Sequence, residues 1–170
     1  MSKAFTREDD SEELPLLPKR SSPLPPGAKN HITPNGAKQL RAELERCVER
    51  RARAAASDSS AAKLEVQKID QHIATLQDIL GSAVVTPAPD KPWNEVRFGA
   101  TITVRDAAGE EFAYRIVGVN ETDLDRDWVS WVSPIARALL NARVGQRVRF
   151  RAPAGDRELE ILSITYDVAD

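Results

Sequence analysis

Residues 51–65, RARAAASDSSAAKLE, interrupt two runs of helical periodicity and thereby decide the fold of the first half of the chain. On their N-terminal side, a spacing of three and four residues joins Ala37, Leu40, Leu44, Cys47, Arg51 and Ala54. On their C-terminal side, the same spacing joins Ala62, Val66, Ile69, Ile73, Leu76, Leu80 and Ala83. Two heptad seams this close in sequence bury each other only if the chain folds back. Residues 31–83 are therefore predicted to form an antiparallel helical hairpin, a coiled coil with arms roughly 30 Å long.

The starts of the two predicted helices carry capping signals. Thr33 is placed to cap the first helix, and Pro34 takes the first helical position, where a missing N–H costs nothing. Asp58 lies in the serine-rich stretch SDSS, residues 57–60. An aspartate there is typical of a helix cap or a first-turn charge, which stabilises a helix by about 1 kcal/mol. The alternative is that Asp58 is a functional group at an exposed tip.

Composition limits the classes of function. The 170 residues include 24 basic and 26 acidic side chains, and a net charge of -2 excludes a polycation built to wrap nucleic acid. Residues 1–30 are rich in proline and charge, which predicts an extended, mostly disordered tail. Cys47 is the single cysteine, so no internal disulfide is expected. Because no apolar run is long enough for a signal sequence or a membrane span, we expect a cytoplasmic protein that contacts no membrane.

The second half of the chain predicts a separate small domain. Residues 84–95, VVTPAPDKPWNE, carry three prolines and are interpreted as a linker. In residues 96–170, three strand patterns precede a short helix and two strand patterns follow it, which predicts a small antiparallel sheet with one helix. Ser133 is placed to cap that helix, with Pro134 at its first position and Gly145 beyond its end. The predicted fold class is α+β.

Four segments carry a resemblance to a known family. They are ITPNGAKQLRAEL (32–44), VRFGATITVRDAAGEEFAYRIVG (96–118), WVSPIARALLNARVGQRV (131–148) and PAGDRELEILSI (153–164). The segments resemble the Gre transcript-cleavage factor family of bacterial RNA polymerase regulators. The resemblance implies an FKBP-like C-terminal domain that binds RNA polymerase at the rim of its secondary channel, with the coiled coil directed toward the active centre. In cleaving members, acidic residues at the tip help hold a second Mg²⁺ and a water, with which the polymerase hydrolyses backtracked RNA.

The tip of this chain departs from that pattern. Cleaving members carry an aspartate and a glutamate close together in the loop, whereas Asp58 stands alone here. The resemblance also implies arms that are shorter by about two helical turns, on the order of 10 Å, and Mg²⁺ demands near-ideal ligand geometry. We therefore expect a non-catalytic regulator that docks on RNA polymerase, with Asp58 as the one candidate catalytic residue. Two alternatives stay open: a cleavage factor that uses Asp58 alone, and an FKBP-like prolyl isomerase.

Candidate contacts to the polymerase lie on the C-terminal domain. They are Trp128, Trp131, Ser133, Pro134 and Arg137. Because the two tryptophans are three residues apart in a predicted strand, one is expected in the core and the other at the surface as an anchor. The expected partner is bacterial RNA polymerase, and the chain is expected to be a monomer because its hairpin satisfies its own seam.

Candidate contacts to nascent RNA or DNA lie on the first helix. Arg46, Arg50 and Arg53 share one helical face, which suits a transient contact with phosphates. The alternative is a solvated face on which these arginines pair with Glu43, Glu45 and Glu49. A second basic set is expected on the solvated face of a strand, and it comprises Arg143, Arg147, Arg149 and Arg151.

The remaining reactive side chains suggest neither a metal nor a cofactor. His31 and His72 show no ligand spacing with other histidines, cysteines or acids, and the sequence has no glycine-rich phosphate loop. Cys47 falls on the predicted seam and is interpreted as a small hydrophobic residue. We therefore predict no bound metal and no cofactor.

Overall fold

The computed structural model describes residues 24–167, so the prediction for residues 1–23 of the tail lies outside the described residues. The helices are α1 (Pro34–Ala54), α2 (Ser60–Ser82) and α3 (Pro134–Leu139). The strands are β1 (Asn30–Ile32), β2 (Ala83–Val85), β3 (Ala100–Asp106), β4 (Glu111–Val117), β5 (Trp128–Ser130), β6 (Arg147–Ala152) and β7 (Gly155–Tyr166). A helical hairpin followed by a sheet with one helix confirms the predicted α+β class. No helix within residues 24–167 is both long enough and apolar enough to cross a membrane.

The two hairpin helices begin at serine or threonine caps. The Thr33 hydroxyl accepts a hydrogen bond from the Gly36 N–H at 3.0 Å, and Pro34 follows as predicted. At the start of α2, the Ser59 hydroxyl accepts from the Ala62 N–H at 3.1 Å. Asp58 precedes this cap and is fully exposed, so the prediction that it caps α2 or lies in its first turn is wrong. The shorter side chain of Ser59, one residue later, accepts a hydrogen bond from the free N–H groups at the start of α2 instead.

The hairpin seam follows the predicted spacing except near the turn. Its buried side chains are Ala37, Leu40, Cys47, Ile69 and Leu76, with Ile32 of β1 at one end. Arg51 was predicted on this seam, but its side chain is 45% exposed and is ion-paired with Asp70. Burying the Arg51 guanidinium in an apolar seam would remove its hydration at a large cost in free energy. The side chain therefore points to solvent. Residues 50–65, hereafter the hairpin tip, therefore have little apolar core.

A two-stranded parallel sheet closes the other end of the hairpin. In this sheet β1 pairs with β2, in the register Asn30 to Ala83 through Ile32 to Val85. The Asn30 side chain is buried and donates to the Ser82 hydroxyl at 3.0 Å. These strands differ from the predicted tail, which ended at residue 30, and from the predicted linker, which began at residue 84. Residues 30–44 and 73–86 are hereafter the hairpin base.

Strands β3 to β7 form a five-stranded sheet in the order β5-β4-β3-β7-β6, and with α3 they make up what we call the sheet domain. All neighbours are antiparallel except β4 and β5, which are parallel, so the prediction of a purely antiparallel sheet is wrong at one edge. The core packs α3 on one face of the sheet, and its fully buried residues include Ile102, Ile116, Leu139 and Ile161. Helix α3 ends at Leu139, before Asn141 adopts a left-handed φ of 65°, and is shorter than predicted.

Candidate functional site

The hairpin tip presents one isolated carboxylate. The turn between α1 and α2 spans residues 55–59, and the Asp58 side chain there is fully exposed, 3.7 Å from the Lys63 ammonium. The next acid along the chain, Glu65, accepts hydrogen bonds from Arg50 at 2.9 and 3.1 Å. Within residues 24–167, no group of three or more histidine, cysteine or acidic side chains could hold a metal ion. Asp58 therefore has no second carboxylate beside it with which to share a cation.

The basic face of α1 is not uniform. Arg46 and Arg53 are exposed as predicted, whereas Arg50 is only 28% exposed and bridges the two arms through Glu65. The alternative for these arginines is pairing with acids of their own helix, and the Arg50 ion pair in the structure joins Glu65 of the other helix. Glu43, one of the expected partners, instead lies 2.9 Å from His72 on α2. The two exposed members, Arg46 and Arg53, are the residues of this set best placed to meet a phosphate.

An ion pair between the two arms lies beside the hairpin tip and shifts the pKa values of both its members. The Arg51 guanidinium hydrogen-bonds Asp70 of the other arm and lowers the pKa of that carboxyl below its usual value. The same contact raises the pKa of Arg51. Because both side chains are exposed, water and salt screen the pair.

Deeper in the seam, burial raises the pKa of the Cys47 thiol, with a smaller contribution from Glu43. That thiol therefore stays protonated and packs as a hydrophobic group.

The two tryptophans of the candidate docking surface are both half-buried, so the prediction of one buried and one exposed ring is wrong. The guanidinium carbons of Arg115 and Arg126 lie over the Trp128 ring, at 4.7 and 5.4 Å from its centroid. Trp131 follows β5 and meets the His31 ring edge-on, with centroids 5.5 Å apart. Trp128 thus contacts two arginines that are near it in the sheet domain, and Trp131 contacts the hairpin base.

Helix α3 places the other three predicted contact residues. Ser133 is its cap, because its hydroxyl accepts from the Ala136 N–H at 3.3 Å. Pro134 and Arg137 lie on the exposed face of the helix, while Ala136 and Leu139 are buried against the sheet. Ser133 therefore has a structural role as a helix cap. Of the three predicted contact residues on α3, Pro134 and Arg137 are the ones exposed to solvent.

Leu124 is an exposed apolar residue that the sequence analysis missed. Its side chain is 81% exposed on a single 3-10 turn, Leu124–Arg126, that leads into β5. The Asp123 carboxylate caps this turn by accepting from the Asp125 N–H at 3.1 Å. The signal in the sequence was a leucine inside the acidic loop NETDLDRD, and hydrophobic periodicity does not single out such a residue.

A cavity of about 320 Å³ lies between the hairpin base and the sheet domain. It is lined on one side by the first turn of α1 and on the other by Arg115, Tyr166 and Asp167. The Arg115 guanidinium is paired with Asp167 at 2.5 Å. Tyr166 is the one aromatic side chain among its lining residues. The cavity thus lacks the several aromatic walls that binding a proline ring would require.

Comparison with known proteins places this architecture in a class. The family model described as "Transcription elongation factor, GreA/GreB, C-term" matches residues 90–166, which contain the whole sheet domain. The match assigns the sheet domain to the GreA/GreB class of transcription elongation factors.

Two transcription elongation factors that are similar over most of the chain support the same assignment. Transcription elongation factor GreB of Neisseria meningitidis is 34% identical over 154 residues, which cover 81% of this chain and 94% of the relative. Transcription elongation factor GreA of Alkalilimnicola ehrlichii is 36% identical, with 82% and 99% covered. The crystal structure of GreA factor homolog 1 of Thermus thermophilus is 28% identical and covers 81% of this chain and 99% of that one, with a TM-score of 0.40. The chain belongs to the GreA/GreB family, which confirms the resemblance seen in the sequence.

The alignments also show a difference in length. The match to the Neisseria protein runs over 154 residues but covers only 81% of these 170, or about 138. About 16 residues of the relative therefore have no counterpart here, equivalent to roughly four helical turns in total if they are helical. The Alkalilimnicola protein has a similar excess over this chain.

Proposed function

We propose that the chain binds bacterial RNA polymerase at its secondary channel and modulates transcription without stimulating transcript cleavage. The observation that carries the proposal is the hairpin tip, where Asp58 is a lone, solvated carboxylate beside Lys63. The chain acts in the cytoplasm, where its proposed partner RNA polymerase works. It acts as a monomer, since the apolar seam of the hairpin is covered by its own second arm.

The chemistry of cleavage explains why the surroundings of Asp58 do not favour a second metal ion. Hydrolysis of a phosphodiester by two metal ions requires both ions to be fixed on the attacking and leaving oxygens. Mg²⁺ is held in a strict octahedron at about 2.1 Å, commonly by one or two carboxylates with water and phosphate. Asp58 brings one carboxylate, and the amine of Lys63 nearby disfavours a second cation.

The length of the arms supports the same conclusion. We assign the roughly four missing turns to the hairpin, two in each arm, which shortens it by about 10 Å relative to the longer relatives. A tip that stops this far short places Asp58 outside the range of metal coordination. It still occupies the channel, and by doing so it excludes longer factors and affects substrate entry.

Affinity comes from the sheet domain. Leu124 is exposed on the turn that leads into β5, and Pro134 and Arg137 are exposed within the segment 131–148. Exposed apolar side chains ringed by polar groups are typical anchors of protein interfaces. Leu124→Ser is expected to weaken binding to core polymerase about tenfold while leaving the thermal midpoint unchanged. Leu64→Ser, at another exposed leucine that lies in the hairpin tip, is the control and leaves docking affinity within about twofold.

Nucleic-acid contact has a secondary role in this proposal. Arg46 and Arg53 extend into solvent along α1 and are suited to transient contacts with the phosphates of RNA or DNA in the channel. Arg50 contributes to the hairpin through Glu65 and is not counted among these contacts.

A true cleavage factor is the second candidate, and one observation favours it. Ser59 caps α2, so the Asp58 carboxylate is not used for capping and faces solvent at the extreme end of the hairpin. If the polymerase supplied all other ligands of the second metal ion, the Asp58 carboxylate would complete its coordination. The FKBP-like prolyl isomerase is not favoured, because the cavity beside the sheet has one aromatic wall.

A backtracked elongation complex separates the two candidates. The transcript is labelled at its 5′ end, and its length is followed with the wild-type chain, with Asp58→Ala and with a cleaving Gre factor as positive control. We expect the chain to leave the transcript intact and to slow cleavage by the positive control in a concentration-dependent way. Shortening of the transcript by the wild-type chain that is lost in Asp58→Ala would establish the second candidate instead.

A further inference from the structure

Glu121 forms a polar link between the hairpin and the sheet domain. It lies in the loop between β4 and β5, and its carboxylate accepts hydrogen bonds from the Thr33 N–H at 2.9 Å and from the Gly118 N–H at 3.0 Å. The Thr33 hydroxyl also donates to this carboxylate. Thr33 is the buried cap of α1, and its hydroxyl accepts from Gly36 at the same time. The start of the 21-residue helix α1 is thus bonded to a carboxylate of the other half of the molecule.

Two glycines make room for this carboxylate. A Cβ built on Gly36 would overlap Oε1 of Glu121, and a Cβ built on Gly118 would overlap the His31 carbonyl oxygen. Neither glycine has a positive φ, so conformational freedom does not explain their presence. Close approach of the two halves explains it, because any larger residue at either position would push them apart.

Electrostatics and packing support the same link. A carboxylate at the N-terminus of a helix is attracted by the unpaired N–H groups and by the helix dipole. Beside it, the His31 ring packs on Phe98 and Trp131, with centroids 5.6 and 5.5 Å away. The hairpin base is thereby held at two separate places on the sheet domain, one polar and one aromatic.

We infer that Glu121 is a positioning residue that fixes the direction of the hairpin relative to the sheet domain. The inference rests on the proposed function for its consequence: once the sheet domain docks, the direction of the hairpin sets how deep the tip reaches. The lever is long, since a rotation of about 10° at the base moves a tip about 30 Å away by about 5 Å. A shortened hairpin without metal-binding chemistry depends entirely on such placement for its effect.

The first test measures the direction of the hairpin in the free protein. Spin labels are attached at Ser57→Cys in the tip and Asp156→Cys at the start of β7, in a Cys47→Ala background. The distance between the labels is compared for Glu121, Glu121→Gln and Glu121→Ala. We expect one narrow distribution with Glu121 and a distribution shifted or broadened by at least about 5 Å with Glu121→Ala. An unchanged distribution in Glu121→Ala would overturn the inference.

Function is then read separately from affinity. Glu121→Ala is expected to keep its affinity for core polymerase within about threefold and to lose most of its ability to block a cleaving Gre factor. A parallel loss of affinity and effect would mean that Glu121 contacts polymerase itself, which contradicts a positioning role. If the wild-type chain does not bind polymerase, the proposed function fails, while the distance measurement still decides the role of Glu121.

A second test keeps the inference falsifiable if Glu121→Ala folds poorly. Gly36→Ala is made in the Glu121 and the Glu121→Ala backgrounds. With Glu121 present, the added methyl is expected to lower the thermal midpoint by about 5 °C or more. Without the Glu121 carboxylate it is expected to leave the midpoint unchanged or raise it, because alanine is the better helix former. Gly81→Ala in α2, where a Cβ meets nothing within 4 Å, should behave alike in both backgrounds. Equal effects of Gly36→Ala in both backgrounds would refute the contact.

Discussion

The base and the tip of the hairpin are built from different interactions. At the base, Ile32 and Leu76 are buried, a parallel strand pair closes the seam, and Thr33 is bonded to Glu121 of the sheet domain. At the tip, Arg50 bridges the arms through Glu65, and the turn residues from Ala55 to Ser59 are all exposed. The hairpin thus has a core at one end and screened ion pairs at the other.

The difference between base and tip indicates which part of the hairpin tolerates amino-acid replacement. Residues at the tip bury little apolar surface, so their replacement costs little stability. Residues at the base carry the buried core of the hairpin and its contacts with the sheet domain, which on our inference set its direction. Under the proposed function, a tip of this kind tolerates loss of a carboxylate or of whole helical turns, and a shared docking domain then serves factors with different effects on the polymerase.

The largest expected effect contrasts two leucines of α2. Leu76 at the base is fully buried, whereas Leu64 at the tip is 54% exposed. Leu76→Ala is expected to lower the free energy of unfolding by about 3 kcal/mol, because it removes buried methyl groups and leaves a cavity. Leu64→Ala is expected to change it by less than about 0.5 kcal/mol. Urea denaturation followed by circular dichroism measures both, and similar losses for the two variants would abolish the contrast between base and tip.

A smaller effect contrasts the two helix caps. Thr33→Ala removes the hydroxyl that accepts from Gly36 and donates to Glu121, and is expected to cost about 2 kcal/mol. Ser59→Ala removes one exposed cap bond at the tip and is expected to cost about 0.5 to 1 kcal/mol. Thr33→Ser keeps the hydroxyl and serves as the control in the same denaturation series. A cost for Ser59→Ala that equals that of Thr33→Ala would mean that the link to Glu121 adds nothing.

Local signals in the sequence predicted most of the fold. The spacing of apolar residues predicted both arms of the hairpin, and the Ser/Thr-Pro pairs predicted the starts of α1 and α3. The strands β1 and β2 escaped prediction because each has three residues and pairs only after the hairpin has brought them together. Intrinsic strand preference is too weak to identify such short segments on their own.

The site was less predictable, because its contacts join residues far apart in sequence. Glu121 meets Thr33 across 88 positions, and nothing in its own neighbourhood distinguishes it from the other acids of its loop. The sequence left open whether the arginines of α1 meet phosphates or pair along their own helix, and Arg50 pairs across the seam with Glu65. Helical spacing predicts which residues share a face, and only the packing of the two arms decides which partner lies opposite.

The smallest expected effect is a pH dependence at the lower edge of the tip. The hydrogen bond from Arg51 lowers the pKa of Asp70 in the folded state, so this pair stabilises the hairpin above the unfolded pKa of about 3.9. Its contribution is complete above about pH 5 and is lost as the pH falls through the lowered folded pKa. Asp70→Asn removes it, so the thermal midpoints of wild type and variant should differ by a degree or two at neutral pH and converge under acid. Salt at 0.5 M should narrow the neutral-pH difference, since both side chains are exposed. A difference that persists under acid would indicate that Asp70 acts through packing, and the tip would then resemble the base more closely than its exposure suggests.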